Sequence, residues 1–312
     1  MTLFSLLAAL LLEQWHPLAS RRALHAWAND YVNLFQHQFN AGEQQHGRIA
    51  WLTAMGLLGV STVATYWLLT YLVNGLLGGL FCILVLYLTM GFRQFSHYYT
   101  DIQNALREDD LDRARGLLTE WRGLPCHELN GEEVARVTIE EALLASHRHV
   151  FGVIVWFVIG MVLGLGPAGA ALYRLAQFLD QRWGSLDFSD HGDFGHFPRQ
   201  MYEWMEWLPR RLTAITFAIV GDFEDSVYCW RTQALNWSDT GDGIVLASGA
   251  GALGVVLGQP IPQGGIPLDR PEIGTGDPAD PDLMRSAVGM VWRALVFWMI
   301  LLLLLSLASL IG

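Results

Sequence analysis

Arg174 and Arg211 are the side chains of this sequence best suited to hold a charge at membrane depth. Each stands at the edge of an apolar stretch, and Asp180 lies six residues beyond the first. Charges in such places are costly and usually functional, so these three residues suggest a buried ion pair or an anion site. The plainer alternative for Arg174 is snorkelling from the end of a span. A second group, Asp187, Asp190, His191, Asp193 and His196, offers oxygen and nitrogen ligands for a hard or borderline cation. Its spacing matches no defined metal site, and a solvated acidic loop is the expectation, with no metal or cofactor. His147 and His149, two residues apart, fall on different faces of a helix and read as interfacial groups.

Gly249, Gly251 and Gly254 match G-x-G-x-x-G after the strand-like 244–246, which imitates a dinucleotide fingerprint. The imitation fails downstream, because Pro260, Pro262 and Pro267 stop the crossover helix that such a fold requires. A small-residue helix that lets a neighbour approach closely is the better reading. The pairs Gly75 and Gly79, Gly160 and Gly164, and Gly254 and Gly258, each four residues apart, support that reading, because such small faces suit helix packing in a membrane. Faces of this kind imply another membrane protein as partner and are compatible with a homo-oligomer. Cys82, Cys126 and Cys229 have no paired spacing, so packing is their expected role. The sequence contains no Ser-His-Asp order, nucleophile elbow, P-loop or HExxH motif, and no residue is assigned a catalytic role.

These groups must be positioned by apolar helices. Hydrophobic residues make up 52% of the 312 and charged residues 16%, far below the quarter usual for soluble domains, so the lipid bilayer is the expected surrounding. The net charge is −11, which excludes nucleic acid as a partner because phosphate binding needs clustered cations. All 19 basic residues are arginine, a pattern that coding bias explains.

The expected fold class is all-α: a polytopic integral membrane protein with about four transmembrane helices plus interfacial or partly embedded amphipathic helices. An N-terminal apolar and amphipathic segment, 1–48, precedes a transmembrane hairpin, 49–92, broken at Asn74. A soluble helical region, 93–148, leads to a third transmembrane helix, 149–173. An acidic loop region, 174–285, holds an amphipathic helix, 199–220, and a Gly/Ala-rich helix, 244–258; the last transmembrane helix is 286–312. Residues 259–281 read as a Pro/Gly linker. Arg48, Arg93 and Arg148 flank the spans, so the positive-inside rule puts 93–148 in the cytoplasm and 174–285 on the opposite side.

Two short blocks carry a family resemblance. Tyr173, Arg174 and Asp180 match Y-R-A-x-N-T-x-D, and Trp207, Pro209, Arg211, Leu212 and Thr213 match N-W-x-P-A-R-L-T. In these blocks the chain resembles the membrane family that holds the cobalamin-pathway synthase CobD/CbiB and the β-lactamase-induction protein AmpE. It departs from the synthases at polar positions. Gln177 and Glu206 stand where they carry Asn, and Ala145, Ser146 and His149 stand at acidic and amide positions of an E-N-T-x-D-G stretch. Residues 238–243 reduce a longer H-R-S-P-N-A-G-W-P motif. Length, the Met-Thr-Leu-Phe opening and the 206–213 block are more similar to the AmpE branch. That resemblance implies a regulatory, signalling or interaction protein of the bacterial inner membrane. It would be tied to β-lactamase induction, antibiotic resistance and cell-wall stress, and no known reaction is implied. The alternative is an ATP-dependent amide-forming synthase, or another enzyme on an anionic substrate. Under either reading Tyr173, Arg174, Asp180, Trp207 and Arg211 are expected to share one ligand or partner pocket.

Overall fold

The computed structural model describes residues 2–15, 22–39, 44–184 and 194–311. The acidic cluster at 187–193 lies outside them. The helices in chain order are α1 (Thr2–Trp15), α2 (Arg22–Phe39), α3 (Gln44–Trp67), α4 (Gly75–Thr89), α5 (Phe92–Arg107), α6 (Leu111–Arg122) and α7 (Gly131–Ser146). There follow α8 (Gly152–Val162), α9 (Ala168–Leu179), α10 (His196–Val220), α11 (Phe223–Gln233), α12 (Thr240–Leu253) and α13 (Pro281–Ile311). The protein is an all-α membrane protein, as its apolar composition requires. Gln45–Val73, Gly131–Val162 and Pro281–Ala308 are long and apolar enough to cross a bilayer, whereas Thr2–Trp15 and Gly75–Thr89 are apolar but shorter. Exposed leucines such as Leu72, Leu76 and Leu80 on these helices need lipid rather than water around them.

The chain forms two compact units, 1–91 with 152–207 and 92–151 with 208–312. In the first, α3 runs into a π-helical turn, Leu68–Val73, and Asn74 then breaks the helix in extended conformation. Its side chain accepts from Leu76 N at 3.0 Å and so caps α4. A Cβ on Gly78 would lie 2.0 Å from Thr70 Oγ1, so the two arms of this hairpin touch. Tyr31 donates to Ala54 O at 2.8 Å and ties α2 to α3, while α1 buries Leu6 and Ala9. Helices α8 and α9 meet through small residues: a Cβ on Gly160 would come within 2.7 Å of Gly166 O and 3.0 Å of Gly169 N. Of the other glycines expected in helix packing, Gly164, Gly254 and Gly258 have left-handed backbones at helix or strand ends, Gly75 begins α4, and Gly79 has open space beside it.

In the second unit Asp110 accepts from Arg113 N and starts α6, which ends at left-handed Gly123. Asn130 and Glu133 form a capping box that opens α7. The last four residues of the expected helix 244–258 and the expected Pro/Gly linker, 259–281, hold short strands instead: β1 (Val255–Gly258), then β2 (Ile261–Gln263), β3 (Ile266–Leu268), β4 (Glu272–Gly274) and β5 (Asp277–Pro278). β1 lies between antiparallel β4 and parallel β5, and β2 pairs with β3. Buried Glu140 of α7 anchors this set, accepting from Gly258 N at 2.8 Å and from Arg270 Nη1 at 2.6 Å.

Three expectations change. The end of the soluble helical region, 93–148, and the span expected from 149 are one helix, 131–162, joined by a π-helical turn at His147–Phe151. The polar residues of that turn do not break it, because they find partners inside the second unit. Residues 168–173, expected at the end of the third span, instead belong to the separate helix α9, which continues to Leu179. The two loop regions placed on opposite sides also pack together. Tyr99 donates to Met284 O at 2.7 Å, Gln103 Nε2 to Pro281 O at 2.7 Å, and Gly265 N to a Glu128 carboxylate oxygen at 3.1 Å. Segments hydrogen-bonded in this way cannot be separated by a hydrocarbon core about 30 Å thick.

Candidate functional site

Three separated stretches, 145–149, 208–213 and 238–243, come together in the second unit. The first contributes the π-helical turn, the second the part of α10 around its internal Pro209, and the third the start of α12. Asp239 caps α12, accepting from Gly241 N at 2.7 Å and Asp242 N at 3.1 Å. That cap fixes Asp242 in the first turn, where a carboxylate also suits the helix dipole.

Arg148 Nη2 donates to both carboxylate oxygens of Asp242, at 2.7 and 2.5 Å. Arg210 Nη2 lies 3.9 Å from Asp242 and 3.8 Å from Asp239. Two guanidinium groups therefore share two carboxylates, with Arg210 and Asp242 largely shielded from solvent at 9% and 14% side-chain exposure. A Cβ on Gly241 would fall 1.6 Å from Arg210 Nη1, so only glycine admits the guanidinium there. Fully buried His147 sits beside this group, with Nδ1 2.9 Å from Thr213 Oγ1. His147 was expected at the interface; the turn carries it inward instead. Ser146 is buried and donates to Leu143 O at 2.8 Å within its own helix.

The expected pocket residues divide between the units. Tyr173, Arg174, Asp180 and Trp207 belong to the first and Arg211 to the second. Tyr173 is fully buried and donates from its hydroxyl to Glu206 Oε1. A Cβ on Gly152 would stand 2.2 Å from that hydroxyl, so glycine makes the room for it. Nearby, Trp156 Nε1 donates to Met205 O at 3.1 Å. Arg174 donates to the Gln177 side-chain oxygen one turn along α9. It also lines a largely apolar cavity rather than a polar pocket. Asp180 begins the π-helical turn Asp180–Gly184, and Trp207 exposes 57% of its surface. Among the described residues no group of three or more His, Cys, Asp or Glu is placed to hold a metal ion.

The sequence reading gives Arg148 a place beside a span and Glu206 a place among the departures from the synthases, and it assigns Arg210, Asp239 and Asp242 no role. Their signal was charge inside blocks already singled out for other positions. Cys229, on α11, is buried in the cluster with Ala214 and Ala247, and burial pushes its thiol pKa up, which fits packing.

Residues 4–291 match the family model described as CobD/Cbib protein. The chain is 33% identical over 288 residues to the cobalamin biosynthesis protein CobD of Stutzerimonas stutzeri, covering 92% of this chain and 90% of that one. It is 36% identical over 214 residues to the protein of the same name from Chromobacterium violaceum, covering 69% and 67%. With that of Streptococcus sanguinis it shares 25% identity across 96% of both chains. No solved structure matches. These relatives overturn the AmpE reading, with its regulation of β-lactamase induction and its signalling role: they are named for cobalamin biosynthesis, and they match along nearly the full length. This chain, with its helical membrane architecture and the polar group gathered at the start of α12, belongs to the CobD/CbiB protein family.

Proposed function

We propose that this chain is a multi-pass protein of the bacterial inner membrane that works in cobalamin biosynthesis, as an amide-forming synthase of the CobD type. The observation that carries the reading is its full-length relation to proteins named for that pathway. The polar group of the second unit supplies chemistry suited to it. Joining a carboxylate to an amine requires the carboxylate oxygen to become a leaving group, which ATP supplies by phosphoryl transfer. The amine then displaces phosphate and loses a proton.

In this reading Arg148 and Arg210 neutralise the anionic groups, as guanidinium groups do for phosphate and carboxylate. Asp239 and Asp242 hold the two guanidinium groups in place, and Arg211, next to Arg210, borders the same site. Tyr173 and Glu206 form a separate rigid support in the first unit. The test is complementation of a strain that lacks its CobD synthase and is grown on a cobalamin precursor. Growth is expected with the native chain and is lost with Arg148→Ala or Asp242→Ala. No growth with the native chain, once its presence in the membrane is verified, overturns the proposal.

A further inference from the structure

His147 and Phe151, the first and last residues of the π-helical turn in the second unit, are both fully buried. His147 Nδ1 lies 2.9 Å from Thr213 Oγ1, and the Phe151 ring meets that of Phe217 edge-on, with centroids 5.9 Å apart. Both partners advance by four residues, so the turn and α10 run side by side in the same direction with two rungs between them. One rung is polar and the other aromatic. The polar rung stands beside the guanidinium groups: His147 precedes Arg148 in the chain, and Thr213 lies one turn beyond Arg210 on the same side of α10.

We infer that His147 and Thr213 are positioning residues, whose hydrogen bond sets the register of the π-helical turn against α10 and with it the spacing of Arg148 and Arg210. An aromatic contact tolerates a small slide of one helix past the other. A buried polar pair does not, because a shift leaves both groups desolvated and without their partner. Thr213 is fully buried, so no water replaces His147 beside its hydroxyl. Single buried polar groups fix the register of paired helices in the same way. Isolated π-helical turns inside α-helices are also frequent at functional sites, and here the turn sends His147 inward while the next residue, Arg148, holds Asp242. The inference rests on the synthase reading, in which Arg148 and Arg210 neutralise the anionic groups of the reactants, ATP among them.

The test titrates ATP with Mg²⁺ into the full chain in detergent and measures affinity and melting temperature together. Thr213→Val keeps the shape and removes the hydroxyl, and should weaken ATP binding about tenfold. Thr213→Ser keeps the hydroxyl and should hold the affinity within about twofold of the native chain. Gly251→Ala, at the far end of α12, is the control for stability alone: its melting temperature should fall and its affinity should not change. Native affinity in Thr213→Val overturns the inference. So do equal losses in the Val and Ser variants, or a loss in Gly251→Ala as large as that in Thr213→Val, since affinity would then merely follow stability. A native chain that binds no ATP refutes the synthase reading itself, and the inference falls with it. If Thr213→Val does not fold, Thr213→Cys takes its place, because a thiol of similar size hydrogen-bonds only weakly.

Discussion

Replacing Asp242 by Asn tests the polar group at the start of α12 most directly. The substitution keeps the shape of the side chain and removes the charge that Arg148 grips at 2.7 and 2.5 Å and that Arg210 approaches at 3.9 Å. An exposed ion pair is worth about 0–1 kcal/mol, whereas breaking a buried one costs about 3–5 kcal/mol. Here the side chains are 30% and 14% exposed, between those limits, so the expected loss is about 2 kcal/mol. For a chain of this size that lowers the melting temperature by roughly 4 °C. Asp242 also faces the dipole of its own helix, a contribution of about 0.3–1 kcal/mol that does not depend on Arg148.

A double-mutant cycle with Arg148→Ala separates the two effects. If the pair is real, the double variant should be about 1–2 kcal/mol less destabilised than the sum of the single variants. Additive losses would refute the pairing and leave the dipole and Arg210 as the partners of Asp242. Asp282→Asn is the control, because its partner Arg107 sits in a pair 42% and 88% exposed, and its melting temperature should hardly move.

Two further outcomes follow from the packing. Because Gly265 binds Glu128 and Met284 binds Tyr99, reporter fusions at Gly123 and Gly276 should report the same side of the membrane; opposite signals would break the arrangement of the second unit. Gly251→Ala should destabilise by about 1–3 kcal/mol, since its Cβ would lie 2.4 Å from Asp225 O on the neighbouring turn, while Gly116→Ala, with open space beside it, should stabilise α6 by about 0.5–1 kcal/mol; equal thermal shifts for the two would remove the close approach of α12 to α11.

Local features were legible from residues a few positions apart. Asn74 marks the hairpin break, because a cap is made with backbone two or three residues away. The apolar composition determined a helical membrane protein for the same reason, since only internally bonded helices or closed barrels satisfy their backbone in lipid. The prolines and glycines of 259–281 pointed to turns, yet the strands between them depend on pairing with β1 and anchoring by Glu140 and Arg270, more than a hundred residues apart. The tertiary structure also decided the polar site. Arg148 and Asp242 are 94 positions apart and His147 and Thr213 are 66 apart. A charge read alone at the edge of an apolar run looks like an interfacial anchor. It becomes part of a site only when folding brings an opposite charge beside it and removes the water that would otherwise solvate both.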